Sequence, residues 1–161
     1  MNWLEFDWKT LMDPSFAPVA LMFVALACGA IIGSERQKHE KPAGLRTLIL
    51  VCMGSAAFTM AGYAFTSKTG DSGRVAAQIV TGIGFLGAGV IIRTASGSHI
   101  HGLTTAASTW LTASLGIACA VADWQIVIPG LAFTFAILVW GGTFEKAVRA
   151  RFQSSDETPP E

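Results

Sequence analysis

The sequence predicts an all-α fold, a polytopic transmembrane helical bundle of about five spans, and three observations lead there. Five apolar stretches, Ser15–Gly33, Thr47–Thr66, Val75–Ile92, Leu103–Ala122 and Trp124–Thr143, contain no Lys, Arg, Asp or Glu. Each is about 18–21 residues long, the length an α-helix needs to cross ~30 Å of hydrocarbon. Of the 161 residues 52% are hydrophobic and 14% charged, and the mean hydropathy is +0.50; a soluble domain carries about 25% charge. The runs are continuous, whereas barrel strands alternate over ~10 residues. A formal net charge of zero leaves no footprint for nucleic acid.

Residues 1–14 read as an N-terminal interfacial segment. Glu5, Asp7 and Asp13 outnumber Lys9, the reverse of a secretory signal's positive start. Trp3, Phe6 and Trp8 with Leu4 and Leu11 suit aromatic anchoring at a membrane surface, with a disordered apolar tail as the alternative. Residues 15–144 form the five-span domain, whose short connections leave no room for a second one. Residues 145–161 form a cytoplasmic tail, partly disordered: its end, from Gln153, is too polar and proline-rich to bury a core.

Lys and Arg orient the bundle. Arg36, Lys38, Lys41, Arg46, Arg93, Lys146, Arg149 and Arg151 share one side, against Lys9, Lys68 and Arg74 on the other. Positive residues accumulate on the cytoplasmic side, so the N-terminus lies outside and the C-terminus inside. Cys28, Cys52 and Cys119 all fall within spans at spacings that suit neither a metal site nor a disulfide framework, and read as small packing residues. Any metal site remains unassigned.

An echo links the first two spans to the next two. Ala30-Ile31-Ile32-Gly33 and Gly44-Leu45-Arg46-Thr47 correspond to Val90-Ile91-Ile92-Arg93 and Gly102-Leu103-Thr104-Thr105. Two spans separate the copies, so the repeat would be parallel; chance likeness between apolar segments is the rival.

The third span is the richest in glycine. Gly82, Gly84, Gly87 and Gly89 spell a dinucleotide fingerprint, but that motif needs a strand before it and a helix after it, and here it lies inside a span. On a helix, Ala77, Thr81, Gly84 and Ala88 make one stripe, bordered by Gln78, Gly82 and Gly89. The fourth span offers Thr105, Ser108, Thr109, Thr112, Gly116 and Cys119. Such residues let membrane helices approach closely and hydrogen-bond across the contact, so spans three and four are expected to pack on each other through them, Gly87 included. A broken third helix exposing its backbone to a ligand is the alternative.

Charged residues cluster at span edges: Glu35 and Arg36, Arg46, Asp71 and Arg74, and Arg93. Anchoring by snorkelling is the default reading, although the preference for Arg points to specific hydrogen bonding through its fixed fork of donors.

Gly33-Ser34-Glu35-Arg36-Gln37, Ala43-Gly44-Leu45-Arg46-Thr47, Arg74-Val75-Ala76-Ala77-Gln78-Ile79, Gly82 to Ile91, and Gly102-Leu103-Thr104-Thr105-Ala106-Ala107 with Trp110 follow in that order. Over roughly residues 29–120 the chain closely resembles the bacterial MgtC/SapB family. The resemblance implies an inner-membrane protein involved in adaptation to low magnesium and in virulence-type stress, namely survival inside host phagocytes. Its members are labelled magnesium transporters, yet some look like regulators of other membrane proteins, the proton-translocating ATP synthase among them. Larger members carry a cytoplasmic C-terminal domain, and this chain is expected to be a short member without it. Carried over by motif, the site would comprise Glu35, Arg36, Gly44, Arg46, Thr47, Asp71, Arg74, Gln78, Arg93, Thr104 and Thr105.

Two functions follow as expectations: a membrane-embedded regulator acting through helix contacts with itself, as a homo-oligomer, or with a partner, or a transporter or channel for Mg²⁺ or another small ion. Magnesium takes oxygen ligands and dehydrates reluctantly, and the spans hold no carboxylates except at their edges, which leans towards the regulator. No cofactor is expected, Mg²⁺ entering only as ligand or transported ion. His39, His99 and His101 sit in connections, and no Ser/His or paired-carboxylate spacing indicates an enzyme.

Overall fold

The computed structural model describes residues 17–66, 72–93 and 100–153. Five helices cover the five apolar runs: α1 (Ala17–Lys38), α2 (Leu45–Thr66), α3 (Ser72–Val90), α4 (Leu103–Ala120) and α5 (Trp124–Gln153). All five are long and apolar enough to cross a bilayer. A two-residue antiparallel ladder, β1 (Ile92–Arg93) with β2 (Ile100–His101), ties the end of α3 to the start of α4. The N-terminal segment 1–14 and the tail beyond Gln153 lie outside the described residues. Part of the expected tail, through Gln153, continues α5.

Helix ends follow local chemistry. After α1, Glu40 adopts a left-handed φ of 51°, and the amides of Glu40 and Lys41 return to the carbonyls of Gln37 and Arg36 at 3.1 and 3.2 Å. After α4, Ala122 does the same at φ 53°, with Ala122 and Asp123 bonding back to Cys119 and Ala118, both at 3.1 Å. Both ends satisfy orphan carbonyls without glycine. The two Gly-Leu copies of the echo open helices alike: the Gly44 carbonyl accepts from Leu48 at 3.1 Å and that of Gly102 from Ala106 at 2.8 Å. Gly102 sits at φ 93° with the Val90 carbonyl where a Cβ would be, so only glycine fits there.

The centre of the bundle is α4, where 56% of the apolar run is buried, against 6% in α3. It packs on α2, α3, α1 and α5. Its core partners are Ala25, Cys28 and Ile32 of α1, Leu48, Cys52 and Ala56 of α2, and Val127 of α5. The three cysteines belong to this core. The largest side chains, including Phe23, Leu50, Phe85, Phe133 and Trp140, point outward. That inversion suits a bundle in lipid, where apolar surface has no reason to hide and close approach favours small residues inside.

Glycines of α1 and α4 bring those helices against the backbone of α2. In α1, a Cβ on Gly29 would lie 2.7 Å from the Ile49 Cα and one on Gly33 2.7 Å from the Leu45 Cα. In α4, a Cβ on Gly116 would strike the Cys52 carbonyl oxygen and sit 2.9 Å from the Ser55 Cβ. The fourth-span stripe is therefore buried, as Thr105, Ser108, Thr109, Thr112, Gly116 and Cys119 all are, but it faces α1 and α2.

The expected partnership of the two stripes is corrected by this geometry. Ala77, Thr81, Gly84 and Ala88 are exposed, as are Gly82 and Gly89. A Cβ on Gly82, Gly84 or Gly89 would meet nothing within 4 Å. Helix α3 meets α4 through another side, where Ile83 is buried and a Cβ on Gly87 would touch the Ala106 methyl at 3.6 Å. Helical spacing places residues on one face without saying what that face meets. The hydroxyls of Ser108, Thr109, Thr112 and Thr81 bond within their own helices. Ser108 and Thr109 donate to the Thr105 carbonyl at 2.9 Å, Thr112 to that of Ser108 at 2.7 Å and Thr81 to that of Ala77 at 2.9 Å, the back-bonding that spares a helix unpaired donors. Nor is α3 broken: it is continuous through all its glycines.

Candidate functional site

The end of α1 buries two adjacent charges. Capping by Glu40 and Lys41 carries the helix past its apolar run, so that Glu35 and Arg36 turn into the bundle with 6% and 4% exposure. Arg36 Nη2 donates to Thr105 Oγ1 at 2.6 Å, joining the last turn of α1 to the first turn of α4. Glu35 Oε1 lies 3.0 Å from Nε2 of His39, one turn on and largely exposed. Gly33 brings α2 against this turn, and Gly44 lies directly beneath the Gln37 side-chain oxygen.

Two atoms of the cluster are buried without a hydrogen-bond partner among the described residues, Glu35 Oε2 and Arg36 Nε. An unsatisfied charged group in a low-dielectric setting is costly, so these atoms mark where a further polar group would be held most strongly. The carboxylate offers lone pairs to a cation or a donor, and Arg36 offers an N–H to an acceptor. Replacing Thr105 with valine keeps the shape and removes the one acceptor that Arg36 Nη2 has in this contact. The expected cost is about 1–3 kcal/mol, or a drop of several degrees in the melting temperature of the purified protein in micelles. Thr105→Ser should recover most of it, and an unchanged melting temperature in the valine variant would remove Thr105 from the cluster.

The other sequence-derived positions separate. Arg46, Thr47 and Gln78 line a second feature, a groove of about 660 Å³ between α2 and α3, whose walls are otherwise mostly apolar: Leu50, Val51, Phe58, Ile79 and Leu86 among them. Thr104 is exposed beside the buried Thr105, and Arg74 is exposed in the first turn of α3. Asp71 lies outside the described residues, and of Arg93 only the backbone is described, paired with Ile100. The structure thus brings together Glu35, Arg36 and Thr105, with Gly44 at the adjoining turn, and puts Arg46, Thr47 and Gln78 on a different surface.

Sequence reasoning missed three contributors. Gly29 and Gly33 form a G-x-x-x-G pair in an apolar segment, a legible signal for close helix approach. His39 reads only as a residue of a connection, yet its place four residues after Glu35 sets it on the carboxylate.

A model of the MgtC family matches residues 22–147. Among curated relatives, protein MgtC of Salmonella typhimurium (strain LT2) is 43% identical over 123 residues, 76% of this chain and 50% of the relative. YhiD of Escherichia coli (strain K12), whose name proposes a magnesium transporter, is 42% identical over 127 residues, 74% of this chain and 58% of the relative. Protein SrpB of Synechococcus elongatus is 40% identical over 131 residues, 73% of this chain and 70% of the relative. The chain spans about half the length of the Salmonella relatives. No solved structure matches it.

Proposed function

The chain belongs to the MgtC family, and on that premise we propose that this multi-pass protein of magnesium homeostasis acts as a membrane-embedded regulator, through helix contacts made by α3. It sits in the bacterial inner membrane with its N-terminus outside, and serves adaptation to low magnesium and virulence-type stress. The observation that carries the reading is the outward face of α3. Ala77, Thr81, Gly84 and Ala88 are small, share one face and are exposed within the protomer, while Phe85 beside them is 83% exposed. Small residues on a membrane helix favour close approach by another helix. Among the described residues nothing covers this face. Its partner is a second copy or another membrane protein, of which the proton-translocating ATP synthase is the first to test.

Transport of Mg²⁺ is the second reading, favoured by the unpartnered Oε2 of Glu35, an oxygen ligand of the kind magnesium takes. One experiment separates the two. The purified chain is placed in liposomes with an entrapped magnesium-sensitive dye, and a photo-crosslinker is placed at Phe85 in cells. The regulator predicts no flux and a crosslink to protein. It also predicts that Gly84→Leu melts like the wild type, because its side chain enters open space, while losing the crosslink and growth at low magnesium. Saturable flux abolished by Glu35→Gln would replace the regulator by a transporter.

A further inference from the structure

We propose that the groove between α2 and α3 is a binding site for an anionic phospholipid, with an acyl chain along its apolar walls and the phosphate at Arg46. The site is distinct from the outward face of α3 and holds whether the protein regulates or transports.

The glycines of the groove motivate the inference. Gly54 on α2 and Gly82 on α3 stand on its two walls, and a Cβ on either would meet no atom within 4 Å. Glycine inside a helix costs about 1 kcal/mol relative to alanine, and close packing within the protomer does not explain it at these positions, as it does at Gly29 and Gly116. What both glycines do is leave the space open.

Charge selects the occupant. The groove has Arg46 and the Thr47 hydroxyl at one end, where α2 begins. Arg46 is exposed, and so are Lys38 at the end of α1 and Lys41 in the turn leading into α2, three cations against the single carboxylate of Glu40. From there the walls run through Leu50, Val51 and Gly54 to Phe58, about 18 Å of helix at 1.5 Å per residue. A cationic mouth on a long apolar furrow complements a phosphate carrying a hydrocarbon chain. Basic pockets between membrane helices on the cytoplasmic side, where the positive-inside count puts this end, bind anionic headgroups. Arg supplies two parallel N–H donors to a phosphate. Gln78 stands on α3 towards the other end of that helix, away from Arg46; a partner helix hydrogen-bonded to it is the occupant the test must exclude.

The test is native mass spectrometry of the full chain released from neutral detergent, with phosphatidylglycerol or phosphatidylcholine of identical chains added. Phosphatidylglycerol should be retained at least tenfold better than phosphatidylcholine. Arg46→Gln should abolish that preference, and Gly82→Leu should reduce retention of both lipids at least tenfold without lowering the lipid-free melting temperature. Gly84→Leu, with the same bulk on the outward face of α3, should bind lipid like the wild type. Equal retention of the two lipids, or a preference surviving Arg46→Gln, would overturn the proposal. So would a lipid-free dimer that Gly82→Leu dissociates, since the groove would then hold a second copy.

Discussion

Replacing Gly116 with leucine should prevent the bundle from assembling. A single Cβ there already strikes the Cys52 carbonyl oxygen and approaches the Ser55 Cβ to 2.9 Å. Neither is the end of a flexible side chain, so relief requires α2 and α4 to move apart. Overpacking a core generally costs about 1–3 kcal/mol. A backbone collision at the central helix should exceed that, about 4 kcal/mol or more. Thermal unfolding in micelles and elution volume measure the effect. Gly116→Ala, which adds the colliding atom alone, should already lower the melting temperature. Wild-type behaviour of the alanine variant would mean that α2 and α4 are not this close. The comparison with Gly84→Leu is the informative one. On a helical wheel the two glycines look alike, yet one adjoins a carbonyl and the other open space.

Arg36→Met should be nearly as damaging, for an electrostatic reason. Arg36 and Glu35 are both buried, and removing the guanidinium leaves the Glu35 carboxylate to the largely exposed His39, a loss approaching the cost of breaking a buried pair, about 3–5 kcal/mol. Joining the change to Glu35→Gln removes both charges, so the double variant should be more stable than Arg36→Met alone. That non-additivity is what a shared cluster predicts and what two separate anchors would not give. If the double variant unfolds at the sum of the single losses, the charges stand apart and Arg36 serves only Thr105. The same pair of variants in the proteoliposome assay separates a structural clasp from a cation ligand, because only the latter makes Glu35 matter to flux.

Span number and approximate limits were legible because the bilayer imposes them. A helix crossing hydrocarbon cannot carry charge cheaply along its middle, and the five uncharged runs record this directly. The extension of α1 to Lys38 was not legible. It depends on a left-handed Glu40, and glycine, the usual signature of such a cap, is missing there. The buried cluster was half legible. Glu35, Arg36 and Thr105 carry motif residues, but nothing in one dimension says that Arg36 reaches a hydroxyl 69 residues away or that Thr47, Gln78 and Arg46 line another surface.

The sequence alone therefore determined the class of fold, its five helices and which residues share a face on each. Those properties depend on one helix and its solvent: length against hydrocarbon thickness, and the 3.6-residue period. Only the tertiary structure decided which face meets which. It turned Gly84 and Gly89 of α3 outward, Gly82 into a groove and Gly87 towards α4, and set the glycines of α1 and α4 against the backbone of α2. The reason is that lipid is as apolar as the helix surfaces themselves, so hydrophobicity does not choose between faces. The choice falls to close contact and the pairing of a few polar atoms, and both depend on two helices at once.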